Sequence, residues 1–137
     1  MQKRILIVDD SVLTRRMMYH FLADTDWEVV GEAGNGCEAV FLYQELKPDV
    51  VTMDIVLPVY DGLAAMREIL DFDSHARIIV VSALSQTKLI SEAIRDGARD
   101  FLRKPFSPEE LHETLNKCML TAVAAAAMAH PGKLPPR

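Results

Sequence analysis

Five chemically capable residues stand where short apolar runs end. Asp9 and Asp10 follow the run at 5–8, Asp54 follows 50–53, Ser82 follows 77–81, and Lys104 follows 100–103. Taken singly, each has an ordinary explanation. Aspartates after apolar runs close turns and cap helices, and a lysine there is simply solvated. Taken together they suggest chemistry. Three carboxylates held at one place repel, a like-charged pair at 4 Å by about 4 kcal/mol at an effective dielectric of 20. A hard divalent cation offsets that repulsion, and Mg²⁺ takes carboxylate, carbonyl and water oxygens. An ammonium on a flexible stem suits a phosphoryl oxygen as a point charge, and a serine hydroxyl can donate one more hydrogen bond. A carboxylate nucleophile, a cation and a lysine make a site for forming an aspartyl phosphate.

The surrounding pattern can bring these residues together. The run at 5–8 is continuously apolar, as in a strand buried on both faces. Ser11 can cap the helix that follows, with Leu13, Met17 and Phe21 at spacing four and Met18 and Leu22 widening the stripe. A second strand is predicted at 27–32 and a turn at Gly34-Asn35-Gly36. A helix over 38–46 carries Ala39, Val40, Tyr43 and Leu46 on one face and stops at Pro48. The third strand ends at Asp54. Leu63, Met66, Ile69 and Leu70 mark the third helix, and the fourth strand ends at Ser82. Leu89, Ile90, Ala93 and Ile94 mark a fourth helix closed by Gly97. The fifth strand ends at Lys104-Pro105. Ser107-Pro108-Glu109-Glu110 is a strong helix start, continued by Leu111 and Leu115. Strict alternation of five strands and five helices predicts an α/β fold: a doubly wound (βα)5 three-layer sandwich around a parallel five-stranded sheet. In such sheets ligands bind outside the carboxyl ends of the strands, which is where all five residues lie.

The 137 residues suffice for one domain. Residues 1–119 are expected to form it. The alanine-rich 120–137 is expected to be a helical extension and disordered tail. That tail holds Lys133 and Arg137 and no acid, so 1–119 carries 20 acids against 13 bases, a net of −7. This argues against direct nucleic-acid binding by the domain. No apolar run approaches the ~18 residues of a membrane span, and no signal peptide precedes the first strand. A soluble, cytoplasmic protein without membrane insertion is expected. Cys37 and Cys118 are far apart and read as reduced thiols in or near the core. His20, His75, His112 and His130 show no metal-ligand spacing.

Several motifs carry a family resemblance across about 3–119. They are Asp9-Asp10 after Ile-Leu-Ile-Val, the Asp54…Pro58…Asp61-Gly62 loop, Val81-Ser82-Ala83, and Phe101…Lys104-Pro105-Phe106. In that order and spacing the chain resembles the receiver domain of response regulators. The resemblance implies a flavodoxin-like sheet of order 2-1-3-4-5, two-component signalling, and a switch rather than a metabolic enzyme. Asp54 is implied as the phosphoacceptor. Asp9, Asp10, Asp54 and the backbone carbonyl of Val56 are implied as the Mg²⁺ site. Ser82, Ala83 and Lys104 are implied as phosphoryl contacts, and Ser82 with Phe101 as the switch. Lys104-Pro105 is implied to be cis.

The implied partners are a histidine kinase and an output protein that binds the face of helix four, strand five and helix five. Residues 81–86 and 97–101 are most similar to chemotaxis receivers, either stand-alone or attached to a methylesterase. A receiver cut from a longer regulator, with a DNA-binding or methylesterase output, is the alternative. Val56 and Leu84 are implied to flank the phosphoryl group. Neither side chain can hydrogen-bond an attacking water, so slow self-dephosphorylation is expected.

Two rivals fit less well. An aspartyl-phosphate hydrolase needs a second acid two residues after its nucleophile, and that position is Val56. A flavin binder needs a hydroxyl- and glycine-rich loop after strand one, where this chain has Asp-Asp-Ser-Val.

Overall fold

The computed structural model describes residues 3–83 and 85–120. Among these residues ten elements alternate: β1 Lys3–Val8, α1 Val12–Leu22, β2 Trp27–Ala33, α2 Gly36–Leu46, β3 Val50–Asp54, α3 Gly62–Phe72, β4 Ile78–Ala83, α4 Thr87–Asp96, β5 Asp100–Lys104 and α5 Pro108–Cys118. The strands form one parallel sheet in the order β2-β1-β3-β4-β5.

The apolar runs read as buried on both faces are so. Along β1 and β4 successive side chains enter opposite cores. Leu6, Val8, Ile78 and Val80 meet Ala39, Val40 and Tyr43 of α2, Leu63, Met66 and Ile69 of α3, and Ile90 and Ala93 of α4. Ile5, Ile7, Ile79 and Val81 meet Met18 and Leu22 of α1 and Leu111 and Leu115 of α5. Each fully buried Leu or Ile contributes about 1.5–3 kcal/mol, so the helices are held mainly by these two layers. Local signals fix where they start. Ser11 accepts a hydrogen bond from the Thr14 amide at 3.2 Å, and Asn35 one from Glu38 at 2.9 Å. Ser107 and Glu110 form a complete capping box, a feature whose loss costs about 1 kcal/mol. Gly97 closes α4 at φ 123°, where a side chain would be strained.

Some expectations need correcting. Leu13 does not join the α1 stripe; it is 78% exposed. The helix buries Met18 and Leu22, whereas Val12 and Leu13 in its first turn are exposed. Ile94 likewise faces outward on α4. Cys118 is buried, and burial pushes its thiol up to about 11. Cys37, in contrast, is exposed, because it sits in the first turn of α2 with Gly36 and Ala39 taking the inner face. Strand β1 starts earlier than its apolar run, since Lys3 and Arg4 pair with Trp27 and Glu28 despite their polarity. Helix α5 closes at Cys118 with Met119 as its cap. Of the expected extension and tail (120–137), residues 121–137, His130 among them, lie outside the described residues, as does Leu84. Among those described, no helix is long and apolar enough to cross a membrane.

The parallel register brings the strand ends level. Val8 pairs with Met53, Asp54 with Val81, and Ala83 with Lys104. The residues that follow β1, end β3 and β4, and close β5 therefore share one edge.

Candidate acidic site at the sheet edge

At that edge Asp9, Asp10 and Asp54 each offer a carboxylate oxygen, and these oxygens lie within 4.8 Å of one another. Asp9 and Asp54 are buried and Asp10 is exposed. Lys104 reaches in from β5, its Nζ donating to Asp9 Oδ2 at 2.7 Å and to Asp54 Oδ2 at 3.1 Å. Lys104 ends β5, which pairs with β4 up to Ala83, and its peptide bond to Pro105 is cis, as the resemblance implied. Asp9 Oδ1 accepts from the Ser11 amide at 2.9 Å and Asp54 Oδ1 from the Val56 amide at 3.2 Å.

The electrostatics follow from burial and pairing. Burial pushes the Asp54 carboxyl above the usual carboxylate range. The hydrogen bond and charge of Lys104 pull it back, and the neighbouring Asp9 pushes it up again. An ion pair alone would lower Asp54; withdrawal from water outweighs it. For Lys104 burial acts to lower the ammonium, but the bonds to Asp9 and Asp54 outweigh that and raise it. Lys104 is thus a firm cation between two carboxylates. The cluster as a whole remains rich in negative charge, with only oxygen donors. That donor set fits a hard divalent cation and offers no soft ligand.

The other predicted residues are placed as follows. Ser82 is fully buried one position past Val81, and its hydroxyl has no hydrogen-bond partner among the described residues. Such an orphan is costly unless something fills it. The Ala83 amide donates to Gln86 Oε1 at 2.8 Å, so it must leave that partner before contacting a ligand. The Val56 side chain is exposed on the rim. Phe101 is turned outward, 39% exposed, with the Arg103 guanidinium 5.6 Å from its ring centroid. It borders a shallow groove of about 320 Å³ between β5 and α5, lined also by Glu110 and Lys117.

Two contributors were given no role by the sequence, although Gly62 stood in the loop motif quoted above. Gly62 lies directly beneath Asp54: a Cβ there would stand 2.0 Å from the Asp54 carbonyl oxygen. Arg15 donates from α1 to the Asp9 carbonyl. The signal for the first was a glycine opening a helix where a capping-type residue already preceded it. For the second it was an arginine one turn past the Asp9-Asp10 pair.

Comparison with known proteins identifies the family. Residues 5–116 match the family model described as the response regulator receiver domain. The chain is 50% identical over 117 residues to the chemotaxis protein CheY of Thermotoga maritima, covering 85% of this chain and 98% of that one. It is 46% identical over 119 residues to CheY of Bacillus subtilis, covering 87% and 99%. Among solved structures, CheY in the CheX-CheY-BeF3-Mg complex from Borrelia burgdorferi superposes with a TM-score of 0.82 at 30% identity, over 87% of this chain and 90% of that one. The response regulator domain of Thermotoga maritima CheB gives 0.80 at 37% identity, over 87% and 97%. The chain belongs to the response regulator receiver domain family of two-component signalling, as a regulator of the chemotaxis type.

Proposed function

We propose that Asp54 accepts a phosphoryl group from the phosphohistidine of a histidine kinase, and that the acyl phosphate switches the binding of an output protein. The observation that carries this reading is Lys104 Nζ on Asp54 Oδ2 at 3.1 Å within the three-carboxylate cluster. An Asp54 oxygen attacks phosphorus, so a P–O bond forms and the P–N bond to histidine breaks. The phosphohistidine ring carries a proton on its other nitrogen, so when the imidazole departs with the P–N electron pair it leaves as neutral imidazole. Asp9, Asp10, Asp54 and the Val56 carbonyl would hold Mg²⁺, which supplies neutralisation of the carboxylate and phosphoryl oxygens. Lys104 transfers its hydrogen bond from Asp54 to a phosphoryl oxygen. Ser82 gives its unpartnered hydroxyl to another, and the Ala83 amide is available once released by Gln86.

An aspartyl phosphate brings up to two negative charges and three acceptor oxygens to one residue. In this reading the Ser82 shift frees space for Phe101 to turn inward, which reshapes the face made by α4, β5 and α5 where the output partner docks. Partner affinity changes only by the difference between the two states. The protein acts in the cytoplasm as a switch with self-assisted phosphotransfer, without metabolic turnover or direct nucleic-acid contact. Residues 1–119 form the working unit. A second reading, the receiver of a methylesterase-type regulator, draws support from the 37% identity to the CheB receiver.

The test is to incubate the protein with Mg²⁺ and acetyl phosphate and to weigh it intact. A single phosphoryl adduct that requires Mg²⁺ and is lost in Asp54→Asn supports the reading; an equal adduct in the variant overturns it. The lifetime follows from Val56, exposed two residues past Asp54. Val56→Asn gives a hydrolytic water a hydrogen-bonding partner, so the phosphorylated variant should decay several-fold faster. Decay followed by loss of the adduct after donor removal checks this, and an unchanged rate contradicts it. Leu84, implied to act in the same way, lies outside the described residues.

A further inference from the structure

We infer that Arg15 is a positioning residue that locks the Asp9-Asp10 turn in the arrangement a divalent cation needs; this rests on the cation reading of the site. Arg15 lies one turn past the Ser11 cap of α1, and its side chain is only 16% exposed. Its Nη1 donates to the backbone carbonyl of Asp9. Its Nε pairs with Glu32 Oε1 on β2 at 3.0 Å.

The position of the Asp9 carbonyl explains why this matters. The last hydrogen bond between β1 and β2 runs from the Asp9 amide to the Ala33 carbonyl at 3.0 Å. Past that point the chain leaves the sheet. The next peptide plane joins Asp9 to Asp10, and it carries the carbonyl that Arg15 holds. Rotation of that plane would turn the Asp10 side chain relative to Asp9, and the two would no longer present oxygens within the 4.8 Å cluster. Asp9 itself is fixed by the Ser11 amide and Lys104. Asp10 is the exposed member of the cluster, and its direction depends on this plane. A guanidinium is suited to the task because its planar fork serves a carbonyl and a carboxylate at once, with bonds strengthened by its charge. A lysine has one nitrogen and can meet both partners only at poorer geometry. Glu32 holds the far edge of the fork and so belongs to the same support.

Partners that orient metal ligands typically change affinity by 10–100-fold when removed. Arg15 acts through one backbone carbonyl, so the lower end applies. Calorimetric titration of the full chain with Mg²⁺ alone tests this, with thermal unfolding in parallel. Arg15→Met should weaken Mg²⁺ binding about tenfold, and Arg15→Lys should recover part of the loss. Glu32→Gln keeps the arginine but removes its anchor, and should weaken binding in the same direction by less. It also secures the test should Arg15→Met fold poorly. Arg67→Met serves as the control for a purely structural effect. Arg67 bridges α3 to Glu92 and Asp96 on α4 at 2.7–2.9 Å, away from the cluster. That variant should leave Mg²⁺ affinity unchanged. Equal Mg²⁺ affinity in the original and Arg15→Met proteins, or in the original and Glu32→Gln proteins if Arg15→Met does not fold, overturns the role of Arg15 and leaves the cation site standing. Absence of Mg²⁺ binding by the original protein overturns the cation reading, and this inference with it.

Discussion

Lys104→Ala should slow phosphorylation by acetyl phosphate about 100-fold while Mg²⁺ binds at least as tightly as before. The ammonium sits between Asp9 and Asp54 at 2.7 and 3.1 Å. During transfer, negative charge spreads over the phosphoryl oxygens, and a pre-placed cation there does more for the transition state than for the resting site. Removing one such fixed donor typically costs 10²–10³ in rate. The effect on the metal has the opposite sign. Lys104 is itself a cation against the carboxylates that Mg²⁺ would use, so its loss relieves repulsion and leaves Asp9 and Asp54 in need of a counterion. Lys104→Arg should not restore the rate, because a larger planar guanidinium cannot occupy the same point between two oxygens. Quenched time courses of adduct formation measure the rate, and calorimetry the affinity. A variant that phosphorylates at the original rate contradicts the role given to Lys104. One that loses Mg²⁺ binding contradicts the arrangement of charges.

Gly62→Ala should destabilise the protein by about 3 kcal/mol, at the upper end for overpacking. The added carbon would stand 2.0 Å from the Asp54 carbonyl oxygen and 2.7 Å from that of Ile55. Both obstacles are backbone, so no rotamer change relieves them. The Gly62 amide also donates to the Ile55 carbonyl at 3.0 Å, which ties α3 to the end of β3 at that point. The backbone that must yield is the one carrying Asp54. At about 4 °C per kcal/mol for a domain of this size, the thermal midpoint should fall by about 12 °C. Phosphorylation of the folded fraction should fall as well, since displacing a reacting group by 1 Å can cost about 10²-fold. Gly34→Ala is the contrast: its added carbon would meet Glu38 Oε1 at 3.6 Å and Arg15 Nη1 at 3.7 Å, ordinary contacts. That change should stay within about 0.5 kcal/mol. Similar midpoints for the two variants would contradict the steric argument.

These cases mark what a sequence can and cannot convey. The alternation of elements was legible because strands buried on both faces are continuous apolar runs, and because Ser11 and Ser107 announce the helices they cap. The convergence of Asp9, Asp10, Asp54, Ser82 and Lys104 was legible because in a parallel sheet every strand end points to one edge. The remainder depends on distances that no local pattern encodes. Leu13 has the spacing of a core residue, yet it is exposed while Met18 and Leu22 take the buried face of α1. Cys37 is exposed because two neighbours take the inner face of α2. The Gly62 contact requires knowing how closely α3 approaches β3. The link from Glu32 through Arg15 to the Asp9 carbonyl joins two elements and a turn. The outward Phe101 and the Ala83 amide engaged by Gln86 are side-chain arrangements that no local sequence pattern specifies.

The most direct test is the position of the phosphoryl group. The protein is phosphorylated with acetyl phosphate and Mg²⁺ and reduced with borohydride, which converts an acyl phosphate to an alcohol. Peptide mass spectrometry then locates the change. Homoserine in place of Asp54 is the predicted result; the same conversion at Asp9 or Asp10 instead, or at no aspartate in a protein that had gained the adduct, would contradict it.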